Sequence, residues 1–189
     1  MDAMTGHLPL DRIHAGLPAI LEAPSDAGRL EMIVRRPATN ARELLETASL
    51  DVVEGLVGDT WKNRGSSRTL DNTPHPDMQL TLMGVRTISL LAGERERWPL
   101  AGDQLFVDLD LSATNLPAGT RLSVGTAVIE VTAQPHTGCG KFVERFGVDA
   151  MKFVNSPEGR ALNLRGINAK VVEGGVVRVG DSVRKLTER

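Results

Sequence analysis

Length, composition and charge favour a single globular domain and argue against two classes of partner. The chain has 189 residues, of which 41% are hydrophobic and 24% charged, and a domain of this size can bury a core without disulfides or metal. Aromatic residues make up 3% and Tyr is absent, which argues against a stacking platform for single-stranded nucleic acid. A net charge of -2 gives no general attraction to nucleic acids or anionic membranes.

The N-terminal sequence and the cysteine content favour the cytoplasm. Residues 1–29 lack the basic start and unbroken apolar run of a signal peptide. No stretch of the sequence approaches the roughly 20 apolar residues of a membrane span. The single cysteine cannot form an intramolecular disulfide, so the fold does not depend on an oxidising compartment. We therefore expect a cytoplasmic protein without nucleic-acid or membrane partners.

The pattern of the first fifty residues predicts an N-terminal extension, 1–50, packed on the remaining domain. Residues 30–36 form a short strand candidate that ends before a proline. Asn40 and Glu43 have the spacing at which each can cap the other's backbone at the start of a helix. The apolar residues that follow fall on one helical face, which predicts a helix over about 41–48.

Residues 51–189 have the pattern of a β-barrel domain. The short β-rich runs are 51–58, 78–85, 103–111, 120–125 and 127–133, followed by two Val-rich runs near the C-terminus. Many short strands at this spacing favour a barrel over a parallel sheet. Gly174 and Gly175 lie between the two last runs and predict a hairpin turn. With two short helical patterns in 142–159, the expected fold is mainly β with a few short helices (α+β).

Cys139 is the first candidate for chemistry. It follows a predicted strand and precedes a short helix, and the adjacent Gly138 and Gly140 leave its sulfur little cover. The helix N-terminus and nearby Lys141 both favour the thiolate form, which a soft metal centre or a redox reaction requires. A lone cysteine is also often a small buried hydrophobe, so both interpretations remain open.

Other familiar catalytic sites have weaker support. His136 and Cys139 have the spacing of two zinc ligands, but a structural zinc site usually shows two close pairs and the second is missing. A Cys/His nucleophile pair with His136 or His75 is an alternative, but a loop position explains either histidine better. The glycine-rich loops that cradle phosphates are absent from the sequence.

Loop arginines are the remaining candidates for binding an anion. Arg64 and Arg68 lie in the polar loop 61–77, and Arg165 precedes the first of the two Val-rich runs. Arginine binds phosphate in a planar, bidentate way, so such residues can anchor an anionic cofactor. Long polar loops are often functional, although most loop arginines are simply solvated.

Several motifs resemble one known family. The matching pieces are GLVGDTW (55–61), LPAGTRLSVGTAVIEVT with the cysteine after it, and the closing RG…G-x-VRVGD. In order and spacing, residues 55–186 resemble the MOSC domain, the module named after the C-terminal part of molybdenum cofactor sulfurases. One departure is the Asp-Gln-Leu stretch at 103–105, where many relatives carry Glu-Asn-Leu.

The resemblance implies a fold and a cofactor site. The implied fold is a β-barrel of the pyruvate-kinase insert type. The implied cofactor is molybdopterin-based, with Cys139 as the ligand of molybdenum or the carrier of sulfur. Arg68 and Arg165 are the nearest matches to the residues that hold the phosphate of the pterin, and Thr137 and Lys141, beside the cysteine, belong to the same implied site.

The resemblance also implies two classes of function. One is an oxidoreductase that reduces small N-hydroxylated compounds. The other is a carrier that hands over molybdenum cofactor or sulfur without turnover. A barrel that retains only a redox thiol is a third alternative. Because the sequence contains no flavin, iron–sulfur or pyridoxal-phosphate-dependent desulfurase domain, a reductase would need separate electron-donor proteins; an oligomer is compatible with the sequence.

Overall fold

A computed structural model describes residues 7–187 of the chain. The α-helices in this range are α1 (Leu10–Ala15), α2 (Leu17–Leu21), α3 (Val85–Ala92), α4 (Gly140–Phe146), α5 (Val148–Asn155) and α6 (Pro157–Ala161). The strands are β1 (Gly28–Arg35), β2 (Glu43–Leu45), β3 (Thr47–Asp51), β4 (Gly55–Leu56), β5 (Leu80–Gly84), β6 (Leu105–Asp108), β7 (Arg121–Val124), β8 (Ala127–Val131), β9 (Ile167–Glu173), β10 (Gly175–Arg178) and β11 (Ser182–Lys185). Short 3-10 helices cover Trp61–Asn63, Pro76–Met78 and Arg95–Ala101.

Seven strands close into a barrel, which confirms the predicted fold class. Their order is β11-β7-β8-β9-β5-β6-β1, and β1 pairs back with β11 through Gly28 and Val183. The neighbouring pairs are antiparallel except β5 and β6, which are parallel. A parallel pair needs a crossover connection, and α3 with the 3-10 helix Arg95–Ala101 supplies it.

The barrel wall separates two apolar cores. Leu105 and Val107 of β6 belong to the core inside the barrel, whereas Phe106 between them packs against the helices outside. This alternation is the two-residue period of a strand buried on both faces. The outer core contains Phe142, Phe146 and Phe153 of α4 and α5, so these helices are fixed against the barrel beside the end of β8. No helix within 7–187 is both long and apolar enough to span a bilayer.

The prediction for residues 1–50 was wrong in two respects. The strand is part of the barrel and does not pack on it, since β1 pairs with β6 and β11. The helix predicted over 41–48 is replaced by β2 and β3. Asn40 has a left-handed backbone (φ 62°), and Glu43 forms an ion pair with Arg35 at 2.8 Å, not a reciprocal cap. In β3, buried residues alternate with exposed ones, and a two-residue period favours a strand.

The predicted hairpin at Gly174–Gly175 was also wrong. The strands on either side belong to different sheets: β9 pairs with β5 and β8, while β10 pairs with β3 in a small sheet β10-β3-β4. The two glycines allow neighbouring backbone segments to approach closely and do not form a tight turn. A Cβ on Gly175 would lie 2.5 Å from the carbonyl carbon of Thr126, and one on Gly174 would lie 3.1 Å from the Leu50 oxygen.

Candidate active site

A buried ionic network joins three segments that are distant in sequence. Asp103 precedes β6, His136 lies between β8 and α4, and Arg165 precedes β9. One carboxylate oxygen of Asp103 lies 2.8 Å from His136 Nε2, and the other accepts a hydrogen bond from Arg165 Nη1 at 2.7 Å. Arg165 also donates to the carbonyl of Ala101 and its guanidinium lies 5.0 Å from the centre of the Phe142 ring. The network therefore ties the barrel wall to the segment that carries the cysteine.

The charges of this network are fixed by their surroundings. Burial alone would raise the pKa of Asp103, but Arg165 and His136 outweigh it and hold that pKa far below its usual range. Burial lowers the pKa of His136, and the positive charge of Arg165 lowers it further against the opposing effect of Asp103. The imidazole is thus neutral at pH 7, with the Nε2 proton donated to the carboxylate and Nδ1 left as a lone-pair acceptor.

A second feature is a cavity with an excess of positive charge, which we call the arginine cavity. Its volume is about 380 Å³, and its lining comprises Arg36, Ala38, Thr39, Asn40, Arg42, Thr60, Asn63, Arg64 and Lys141. Arg36 is neutralised by buried Asp59 through a bidentate pair with both contacts at 2.8 Å. Arg64 lies farther from the same carboxylate, at 3.7 Å.

The cations of this cavity repel one another. Burial lowers the pKa of Arg42, and the charges of Arg145 and Arg36 lower it further. Burial also lowers the pKa of Arg64, and the positive charge of Arg36 lowers it further. The Arg42 guanidinium donates to the backbone carbonyls of Pro99 and Ala41, which carry no full charge. An anion in the cavity would relieve this repulsion, so the arrangement is typical of a site for phosphate or carboxylate.

An adjoining space, the histidine cleft, connects the network with the arginine cavity. It has a volume of about 260 Å³ and is lined by Arg36, Trp61, Arg64, Gly65, Ser66, His75, Met78, Thr81, His136 and Asn168. Arg36 and Arg64 line both spaces. The polar loop 61–77 supplies about half of this lining, so the segment singled out from the sequence borders the candidate site.

In sequence, Cys139 lies between one residue of each space, although it lines neither space itself. His136 lines the histidine cleft and Lys141 lines the arginine cavity, and the exposed Cys139 between them is the residue before α4. The segment is held in place because Asn155 of α5 accepts a hydrogen bond from the Gly138 N–H and donates one to its carbonyl. The thiol is therefore accessible on an anchored backbone.

The other residues predicted to bind the cofactor differ in their exposure and in their hydrogen-bond partners. Arg165 was expected to be free to bind phosphate, but its guanidinium is 7% exposed and paired with Asp103; this expectation is corrected. Arg68 is exposed and donates to the Gln134 side chain at 3.2 Å. Thr137 is exposed beside the cysteine. Cofactor contacts by Arg68, Thr137 and Lys141 stay predictions.

Sequence reasoning missed Arg36 and Arg42, and it noted Asp103 only as part of the Asp-Gln-Leu stretch, without a role in the site. Arg36 follows the first barrel strand, and Arg42 lies in the segment predicted as helix, so neither was considered together with the loop 61–77. The usable signal was the Arg-Arg-Pro end of β1, which places charge at a barrel rim. Within the described range, 7–187, no three His, Cys, Asp or Glu side chains cluster as a metal site.

Comparisons with known proteins agree with this fold. The family model described as MOSC domain matches residues 88–184. The YuaD protein from Bacillus subtilis has a similar crystal structure, with a TM-score of 0.61 and 17% identity over 86% of this chain and 97% of that one. YiiM from Escherichia coli has a TM-score of 0.55 and 20% identity over 85% and 71%. YiiM from Geobacillus stearothermophilus has a TM-score of 0.56 and 12% identity over 85% and 75%. No curated protein sequence matches significantly.

Proposed function

Since this chain belongs to the MOSC domain family, we propose that it binds a molybdenum cofactor and reduces small N-hydroxylated compounds. The observation that carries the proposal is the excess of positive charge in the arginine cavity. Four cationic side chains line it, and one buried carboxylate, that of Asp59, lies beside them. The cations are Arg36, Arg42, Arg64 and Lys141. The phosphate of a pterin cofactor is a dianion of the size such a cavity accepts. Arg42 and Arg64 would hold it, because Arg36 is already neutralised by Asp59.

The chain also offers the donor that this group needs. A pterin dithiolene brings its own two sulfur ligands, so the protein has to supply one soft donor. Cys139 is an exposed thiol three residues from His136 and two from Lys141, and those neighbours line the two spaces described above. An exposed thiol is a soft donor of the required kind, which supports the proposal.

When bound, the cofactor would supply the two electrons, received from a separate donor protein, that break the N–O bond. The reaction also takes up two protons, and yields the amine and water. His136 would deliver one of these protons from Nδ1. Since burial and Arg165 disfavour the protonated imidazole, a proton taken up at Nδ1 is readily given to the leaving oxygen.

Asp103 and Arg165 act on this step through His136. The carboxylate fixes the tautomer by accepting the Nε2 proton at 2.8 Å, which directs Nδ1 away from the network. Arg165 holds the second carboxylate oxygen at 2.7 Å and keeps Asp103 ionised. Both are positioning residues, and neither is expected to touch the substrate.

Metal content tests the cofactor part of the proposal. The full chain is purified from a host that makes molybdenum cofactor, and molybdenum is measured by mass spectrometry for wild type and Cys139→Ser. We expect near-stoichiometric metal in wild type and loss of it in the variant. Arg29→Gln, a change at an exposed arginine outside both spaces, is the matched control. Metal retained in Cys139→Ser would refute the thiolate ligand.

Turnover tests the reaction and separates it from the carrier function. Metal-loaded protein is incubated with a chemical electron donor and a hydroxylamino or amidoxime compound, and the amine or amidine product is measured. We expect product from wild type and none from Cys139→Ser. Bound metal without any turnover would favour a non-catalytic carrier of cofactor or sulfur.

A further inference from the structure

A third cavity, here called the neutral cavity, shares His136 with the histidine cleft. Its volume is about 320 Å³. It is formed by the segment after β6, the segment after β8 and the start of β9. The lining comprises Ala113, Leu116, Pro117, Ala118, Val131, Thr132, Ala133, Gln134, Pro135, His136, Asn163, Gly166, Ile167 and Asn168. None of these residues is acidic, lysine or arginine, in contrast to the arginine cavity.

Asn168 provides the second observation. The residue is fully buried in β9 and lines both the neutral cavity and the histidine cleft. Its Nδ2 donates to the carbonyl of Gln134 at 3.1 Å, which fixes the orientation of the amide. Its Oδ1 has no hydrogen-bond partner among the described residues. A buried carbonyl without a donor is costly, and an N–H or O–H group of a ligand would satisfy it.

His136 supplies the other polar group at this end of the cavity. Its ring is neutral, because burial lowers the pKa of the imidazole, and its Nε2 is occupied by Asp103. A ligand in the neutral cavity therefore meets one unpaired acceptor, one neutral imidazole and walls without an acidic, lysine or arginine side chain. Burial of a charged ligand there would cost free energy without a countercharge to offset it.

We propose that the neutral cavity binds an uncharged small molecule whose N–H or O–H donates to Asn168 Oδ1. This inference rests on the proposed function, under which the molecule is the N-hydroxylated substrate. Its cavity shares no lining residue with the arginine cavity. The anionic cofactor would thus bind in the arginine cavity and the uncharged substrate in the neutral cavity. His136 lines both the histidine cleft and the neutral cavity. Asn168 acts as a specificity-determining residue.

Binding is tested with benzamidoxime, an uncharged probe, and the full chain from a host that makes molybdenum cofactor. No electron donor is added, so binding is measured without reduction, by calorimetry or ligand-observed NMR. We expect wild type to bind the probe. Asn168→Leu keeps the branched shape of the side chain but removes the acceptor, together with the Nδ2 donor to Gln134. It should weaken binding by roughly tenfold or more. Benzamidine, the cationic analogue without the hydroxyl, should bind much more weakly.

A second variant, at an exposed residue, separates loss of probe binding from misfolding caused by the buried Asn168→Leu substitution. Ala133→Leu fills the neutral cavity from its exposed rim and should abolish probe binding while molybdenum content stays at the wild-type level. Ala161→Leu, also exposed but outside the lining, is the matched control and should bind like wild type. Thermal unfolding of each variant shows that it is folded.

The outcomes separate this inference from the proposed function. Probe binding that is lost in Asn168→Leu and Ala133→Leu supports the neutral cavity, even if the protein never reduces the compound. Unchanged binding in both folded variants, no binding by wild type, or equal binding of benzamidine overturns it. Reduction of amidoximes with an unchanged KM in Ala133→Leu would also overturn it while the proposed function stands.

Discussion

The carboxylate of Asp103 and the imidazole of His136 are 2.8 Å apart although 33 positions separate them in sequence. Asp103 is fully buried, and the His136 side chain is 16% exposed. The pair is completed by Arg165, whose guanidinium neutralises the carboxylate. A buried charge costs free energy unless it is paired, so each member of this network depends on the others.

Removal of the carboxylate should therefore destabilise the fold. In Asp103→Asn the Arg165 charge stays buried without its partner, which should lower the free energy of unfolding by about 3–5 kcal/mol. Glu43→Gln is the matched control. It breaks the exposed Arg35–Glu43 pair, whose side chains are 32% and 45% exposed, and should cost at most about 1 kcal/mol.

Urea unfolding monitored by circular dichroism measures both changes, provided the slope of free energy against urea concentration is the same in all three proteins. Equal stability of the two variants would contradict the assignment of the network as a buried ionic pair.

The network also predicts how stability depends on pH. The folded protein holds the pKa of His136 below the 6.5 expected for the unfolded chain. As the pH falls from about 7, the unfolded chain therefore takes up this proton first, and the free energy of unfolding falls. The loss continues until the pH has passed the pKa of the folded state.

His136→Gln should show a smaller loss of stability between about pH 7 and pH 5, because the amide does not titrate. Both proteins keep the other three histidines, so the difference isolates His136. An identical pH dependence of the urea midpoints in wild type and variant would show that the folded protein does not lower this pKa.

The arginine cavity predicts anion binding that can be measured without metal. Inorganic phosphate should bind the wild-type chain, and more weakly at high salt. Loss of a charged hydrogen bond is worth about 1.5–3 kcal/mol, so Arg42→Gln should weaken phosphate binding by roughly 10- to 150-fold. Arg29→Gln is the control, since Arg29 is 64% exposed and its ion-pair partner is Glu31 on the same strand. Calorimetry gives the affinities, and equal affinity in both variants would exclude Arg42 from the anion site.

Parts of this picture follow from the sequence because they rest on local patterns. The short strands with their turn residues predict the barrel, and Gly138-Cys139-Gly140 marks the accessible thiol. The arginine cavity could not be predicted in this way, since Arg36 and Arg64 meet only when β1 closes the barrel. The same holds for Arg165, whose role is decided by a carboxylate 62 residues away.

The error at Gly174–Gly175 has a related physical cause. Two adjacent glycines between Val-rich runs are typical of a tight hairpin, but the usual two-residue turns need positive φ at the first central residue (type II′) or at both (type I′). The glycines with positive φ in the described part of the chain do not include these two. What requires glycine here is a contact with β8 and its preceding turn, which no local pattern reveals.

This contact leads to a prediction about Gly175 itself. A Cβ there would lie 2.5 and 2.6 Å from backbone atoms of Thr126 and Ala127, and backbone cannot move aside as a flexible side chain can. Gly175→Ala should therefore force β10 away from the barrel and lower the free energy of unfolding by about 1–3 kcal/mol. Gly140 is the matched control, because a Cβ at this position in α4 meets nothing within 4 Å and Ala is the better helix former.

Gly140→Ala should accordingly keep or slightly raise stability, by about 1 kcal/mol or less. The urea midpoints of Gly175→Ala and Gly140→Ala, each compared with that of wild type, measure these changes in stability. If Gly175→Ala proves as stable as wild type, the close approach of the two sheets at this position is not what requires a glycine. If only Gly175→Ala is destabilised, the passage from the barrel to the small sheet depends on backbone contact and not on turn geometry.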